Sequence, residues 1–155
     1  RQRQMCIRDS PREVRPDRKL DVRPLFRERF LLACASEHPL ATAAIVCGED
    51  LARYPLVDRL KCEFRSQIQE HFARRDVVMR PRFRSEREDW VHRIVAEGRA
   101  ICIVPERSAA ETGLVTRPIE GFTLEREVVI VTVSGSTAPV EIRKIAQLAA
   151  RHEWQ

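Results

Sequence analysis

Short apolar runs, each closed by a proline or a polar turn, set the rhythm of this chain. Phe30-Leu31-Leu32-Ala33-Cys34-Ala35 is continuous and apolar, as a strand buried on both faces requires. His38-Pro39-Leu40 ends it, because a proline cannot donate to a ladder. Ile101-Cys102-Ile103-Val104, stopped by Pro105, repeats the pattern, and Val128-Val129-Ile130-Val131-Thr132-Val133 carries the strongest strand signal. Shorter strands are expected at Pro55-Leu56-Val57, Arg82-Phe83-Arg84 and Gly113-Leu114-Val115-Thr116.

Between these runs the spacing becomes helical. Residues 49–53 predict one helical turn. Phe64, Ile68 and Phe72, four apart, place a stripe on a helix over about residues 62–75. Ser85, followed three residues later by Glu88, has the form of a capping box. Trp90, Val91, Ile94 and Val95 give the next helix its apolar face, and Gly98 falls where a left-handed cap belongs. After a turn over residues 134–139, Ile142, Ile145, Leu148 and Ala149 define a last helix. The alternation predicts an α/β fold with largely parallel sheet.

Composition bounds what such a fold does. The 155 residues suffice for one compact domain. No apolar run approaches the length of a membrane helix, and the charged start has no signal-peptide centre, so no membrane partner is expected. The net charge of +5 resides entirely in residues 1–30, and the remainder is neutral. The pI of 9.3 is therefore no evidence that the folded body binds nucleic acid. Five cysteines at 6, 34, 47, 62 and 102, without a C-x-x-C pair, read as free thiols in a reducing cytoplasm. Residues 1–21, with no apolar periodicity, are expected to be disordered or artefactual. Within them Met5-Cys6-Ile7-Arg8-Asp9-Ser10 resembles a translated sequencing adapter.

The order of motifs then carries a resemblance. Pro24-Leu25-Phe26-Arg27-Glu28, Glu37-His38-Pro39-Leu40-Ala41 and Asp50-Leu51-Ala52 resemble the passage between effector lobes in LysR-type transcriptional regulators. Arg84-Ser85-Glu86-Arg87-Glu88-Asp89-Trp90-Val91 and Val95-Ala96-Glu97-Gly98 resemble the second-lobe strand and helix of one subgroup. Ile103-Val104-Pro105-Glu106 and Gly113-Leu114-Val115 are similar to the return to the first lobe. The resemblance implies a type 2 periplasmic-binding-protein-like fold, with one complete Rossmann-like lobe and part of another. It places a crossing strand of the partial first lobe at residues 22–40, the second lobe at 41–110, and the return strands and helix at 111–155. It further implies a fragment that senses a small-molecule effector between lobes, in a dimeric or tetrameric cytoplasmic regulator. DNA would be contacted only through a winged helix-turn-helix outside this sequence.

Effector contacts are expected at helix N-termini and strand ends, where unpaired N–H groups point. The candidates are Cys34, Arg59, Cys62, Arg65, Ser85, Glu86 and Pro105. Ser85 has a plain alternative role as a helix cap. Cys62, near a helix N-terminus with Lys61 and Arg65 close by, stands where a thiolate is favoured. Its place is similar to that of the reactive cysteine in peroxide-sensing LysR members. A resolving thiol is absent where His71-Phe72-Ala73 stands, so an ordinary small residue is the simpler reading.

The acids Glu86, Glu88 and Asp89 suit the positive end of a helix better than paired acid–base work. No metal-ligand spacing, phosphate-binding glycine loop or nucleophile elbow occurs, so neither a cofactor nor catalysis is expected. Two rivals remain: a transporter's solute-binding protein of the same fold, and a small α/β enzyme with Cys62 as nucleophile.

Overall fold

The computed structural model describes residues 6–10, 20–110, 112–133 and 139–154. Its strands are β1 (Cys6–Ser10), β2 (Leu20–Cys34), β3 (Leu56–Arg59), β4 (Pro81–Ser85), β5 (Cys102–Pro105), β6 (Val115–Arg117) and β7 (Glu125–Val133). Its helices are α1 (Gly48–Arg53), α2 (Arg65–Ala73), α3 (Glu88–Ala96), α4 (Glu106–Ala110) and α5 (Val140–Arg151). The chain divides into two compact units, Arg1–Arg27 with Arg126–Gln155, and Glu28–Glu125.

In the first unit the strand order is β1-β7-β2. β1 runs antiparallel to β7, from Cys6 opposite Val131 to Ser10 opposite Glu127. The disorder expected for residues 1–21 therefore does not hold at 6–10, in β1, or at 20–21, in β2, since backbone ladder bonds need no apolar periodicity. The rest of that expectation, at 1–5 and 11–19, and most of the turn over 134–139 lie outside the described residues. Val128, Val129, Ile130 and Ala146 are buried here. Trp154 stacks at 5.2 Å on Phe26, and its indole N–H donates to the Ala149 carbonyl at 2.9 Å.

The second unit is a sheet covered on both faces. β3 and β4 are parallel, and Val57 N–H donates to Ile101 O at 2.9 Å while Ile101 N–H donates to Pro55 O at 2.8 Å. That parallel bridge leads into β5, which pairs antiparallel with β2 (Phe30 opposite Pro105, Ala33 opposite Cys102). β6 pairs with β2 as well, antiparallel, placing Cys34 opposite Val115. Residues 32–34 and 115–117 thus run side by side. The largely parallel sheet does not form. β2 pairs antiparallel with both β5 and β6, and among the described residues parallel pairing joins β3 to β4, with isolated parallel bridges at Leu56–Ile101 and Val46–Ile119.

The two-residue period of a strand explains the two cores. Leu32, Cys34, Leu56, Ile101 and Ile103 face one side, where they join Phe64, Ile68 and Phe72 of the α2 region. Ala33, Val57, Cys102 and Val104 face the other and pack with Val91 and Val95 of α3. Continuous apolar strands are what a sheet with two covered faces demands.

Three local expectations shift. The 62–75 helix is α2, preceded by turns in which Cys62 N–H donates to Arg59 O and Arg65 N–H to Cys62 O, both at 3.1 Å. The capping box at Ser85 does not form. Ser85 stays in β4 opposite Arg59, and its Oγ accepts from Arg87 N–H at 3.0 Å, leaving α3 to start at Glu88. Pro39 opens a 3-10 turn, Pro39–Thr42, where His38 Nδ1 accepts from Leu40 N–H at 3.2 Å. Among the described residues, no helix is long and apolar enough to cross a membrane.

Candidate functional site

The Glu28–Glu125 unit contains a cavity of about 600 Å³ lined from β3, α2, the segment after α2, the start of β4, and Ile103 of β5. Leu56, Ile68, Val77, Val78, Met79 and Pro81 make apolar walls. Asp58, Arg59, Cys62, Arg65, Gln69 and Asp76 add polar groups. β3 reads Leu-Val-Asp-Arg, so the pleat sends Leu56 and Asp58 to one face and Val57 and Arg59 to the other.

Asp58 is nearly buried, its side chain 8% exposed. A carboxylate there needs charged partners, and two guanidinium groups supply them. Arg65, in the first turn of α2, holds it as a fork, Nε to Oδ1 at 2.7 Å and Nη2 to Oδ2 at 2.6 Å. Arg84 of β4 approaches Oδ2 to 3.9 Å. The hydrogen bonds and charge of Asp58 raise the Arg65 pKa above its ordinary value.

Arg59 is the other deep cation, with 10% of its side chain exposed. Its Nε donates to both Glu88 oxygens at 2.9 and 3.1 Å, and Nη2 closes a second contact with Glu88. Nη1 donates to Ile103 O at 3.5 Å and lies 3.8 Å from Cys62 Sγ. Burial works against this charge, yet the bonds and attraction from Glu88 outweigh it and the pKa is raised.

Of the residues expected at a site, Arg59, Cys62 and Arg65 come together on this cavity. The other four do not line it. Cys34 is fully buried with Sγ 3.7 Å from Val115 O, and Pro105 is buried at the end of β5. Ser85 is engaged in its turn, and Glu86 pairs with Lys61 at 3.1 Å.

The cations and helix end near Cys62 do not favour a thiolate there. Burial pushes this thiol up, more than Arg59 and the Phe64 backbone pull it down. The helix begins three residues later, so its positive end is not spent on Cys62 alone. Cys102, wholly buried, is pushed up to about 12, again by burial. Sequence reasoning missed Asp58 and gave Glu88 only a helix-end role. The available signal was an acid and a base at the end of a short apolar strand, where unpaired charge is not tolerated.

A two-faced α/β unit with an apolar cavity and a few convergent charges defines a small-molecule-binding module. A family profile described as LysR substrate binding domain matches residues 4–154, and the chain belongs to that family. The family is one of transcriptional regulators, which are not enzymes. The chain is 24% identical over 98 residues to a probable nitrogen assimilation transcriptional activator of Synechocystis sp. (strain ATCC 27184 / PCC 6803 / Kazusa). That match covers 63% of this chain and 32% of the relative, so the chain spans about a third of its length.

Among solved structures, the Synechocystis PCC6803 CcmR regulatory domain in complex with 2-PG is similar at a TM-score of 0.72 and 18% identity. The alignment covers 94% of this chain and 70% of that one. The effector binding domain of QuiR in complex with shikimate gives a TM-score of 0.68 at 18% identity, covering 89% and 67%. The type 2 periplasmic-binding-protein-like fold expected from the sequence is the fold found.

Proposed function

We propose that this chain is the effector-sensing part of a LysR-type transcriptional regulator, and that the cavity of the Glu28–Glu125 unit takes the effector. The observation that carries this reading is the convergence of Arg59, Cys62 and Arg65 on a cavity of about 600 Å³ in a LysR substrate binding domain. Such a volume suits a metabolite-sized ligand. In the whole protein the chain works in the cytoplasm within a homo-oligomer. DNA is contacted by a winged helix-turn-helix lying elsewhere in that protein, and the chain itself performs no catalysis. The match to a regulator family does not favour the transporter reading.

A ligand that binds only the folded state raises the melting temperature by mass action. Thermal melts of the 155-residue chain against a panel of small metabolites test the reading. One chemical class is expected to raise Tm by several degrees, and the same compounds are expected to change operator binding by the full-length regulator. A panel in which nothing shifts Tm, or a compound that is turned over, would falsify it.

A further inference from the structure

We propose that His71, Arg75 and the Gly121 carbonyl form a clasp that holds the end of α2 against residues 119–122 at neutral pH and opens in acid. The clasp is independent of what the cavity takes.

One ring and one guanidinium build it. Arg75 Nη1 donates to His71 Nδ1 at 3.1 Å, and Nη2 donates to the Gly121 carbonyl at 3.2 Å. A nitrogen that accepts from a guanidinium carries no proton, so the imidazole is neutral with its hydrogen on Nε2. Nε2 is buried and has no hydrogen-bond partner. The ring meets Phe72 of its own helix edge to face at 5.1 Å and Phe122 of the facing segment at 4.9 Å. Neither neighbour offers an acceptor oxygen from its side chain.

A second proton has no place in this arrangement. It would go to Nδ1 and set an N–H against Arg75 Nη1, donor facing donor and cation facing cation. Burial, then the positive charges of Arg75 and Arg74, hold the His71 pKa below the ordinary 6.5. The nearby acids do not offset them. Glu70 is engaged with Arg74 at 3.4 Å, and Asp76, past the helix end, lines the cavity. The facing segment brings one titratable side chain, Glu120, which is exposed.

Protonation therefore drives Arg75 from the ring and takes the donor from Gly121. The part released is the end of α2, where Arg75 and Val77 N–H donate to Phe72 O, both at 3.0 Å, and Asp76 N–H donates to Ala73 O at 3.1 Å. Ala73, Asp76 and Val77 belong to the cavity wall, so clasp and cavity share this end of the helix. A depressed pKa contributes stability that is full above 6.5 and is lost as pH falls through the folded value.

The test is NMR on the 155-residue chain. The His71 ring is titrated, and amide exchange, corrected for its intrinsic pH dependence, is compared between about pH 7.5 and one pH unit below the His71 midpoint. The midpoint is expected below 6.5, and Arg75→Met, which removes both donor and charge, is expected to raise it. Protection of the Arg75, Asp76, Val77 and Phe122 amides is expected to fall several-fold in acid, while that of Val57 and Ile101 in the sheet stays level. His71→Phe keeps a ring but cannot titrate, and is expected to show level protection at 75–77 over the same range.

A His71 midpoint at or above 6.5 overturns the proposal without any variant. Protection at 75–77 that stays level in acid overturns it as well. So does an acid loss that persists in His71→Phe, or one confined to Leu40 and Ala41, which would belong to His38, whose Nδ1 accepts from Leu40 N–H.

Discussion

Arg59, at the end of β3, and Glu88, in the first turn of α3, form a double ion pair that fastens strand to helix, with Arg59 Nε 2.9 and 3.1 Å from the two carboxylate oxygens. The pair is asymmetric, since the Arg59 side chain is 10% exposed and that of Glu88 50%. Exposed pairs contribute little, whereas removing the partner of a buried charge is expensive. Glu88→Ala is therefore expected to lower stability by about 1–2 kcal/mol in urea unfolding, between those limits. Asp89→Ala, which breaks a pair with Arg87 exposed on both sides, is expected to shift the urea midpoint far less. Equal losses from the two substitutions would show that Arg59 does not depend on Glu88.

The thiols make stability depend on alkaline pH. Cys34, Cys62 and Cys102 all have pKa values raised above the ordinary 9.0 by burial, Cys102 to about 12. A raised pKa means that the folded chain holds these protons more tightly than the unfolded chain. Their contribution is thus full below pH 9 and is lost as pH rises towards 12. Urea midpoints are expected to be level from pH 7 to 8.5 and to fall above it, with Cys102→Ala flattening the decline. The same protonation slows attack by Cys62, so iodoacetamide at pH 7 is expected to label it more slowly than a free cysteine. A level midpoint up to pH 11 would remove burial as the dominant influence on these groups.

What could be read from the chain follows from which interactions are local. The apolar runs at 30–35 and 101–104 announced strands covered on both faces, because Leu32 and Ala33, or Cys102 and Ile103, each need a different core. The helical stripe of Phe64, Ile68 and Phe72 and the cap at Gly98 are set within a few residues. Strand direction is not local: β2 lies between β5 and β6, and nothing in residues 28–34 says which way those partners run. The site shows the same division. Arg59, Cys62 and Arg65 lie within seven residues of one another and could be grouped by eye. The bonds that define their roles come from Glu88, 29 positions away, and from Arg84 beside Asp58. Ser85 failed as a cap for a related reason, because its pairing with Arg59 holds it in β4.

Gly98 offers a clean test of backbone conformation. Its φ is +68°, at the end of α3, and an added Cβ there would meet nothing within 4 Å. The cost of a side chain is therefore conformational and not steric. Gly98→Ala is expected to destabilise by about 1 kcal/mol, and Gly98→Asn by less, since asparagine tolerates the left-handed region. Thermal melts of the two variants give the comparison, and an alanine variant as stable as the parent would mean that the turn relaxes to another conformation.

Gly48 is the opposite case and bears on the cavity. A Cβ at this position would stand 2.5 Å from Val77 Cγ2, too close for any real contact, while the other Val77 atoms lie at 3.7 Å. Val77 lines the cavity, so the neighbour that must move has space on its cavity side. Gly48→Ala is expected to lose roughly 1–3 kcal/mol from overpacking and, as Val77 turns inward, to shrink the Tm shift that a cavity ligand gives. Val77→Ala in the same background removes the clash, and the double variant is expected to recover binding. Recovery of stability without binding would separate the two effects, placing Val77 in the core of the unit but away from the ligand. Loss of binding that the second substitution reverses would show that the spacing between Gly48 and Val77 sets how much of the cavity a ligand can use.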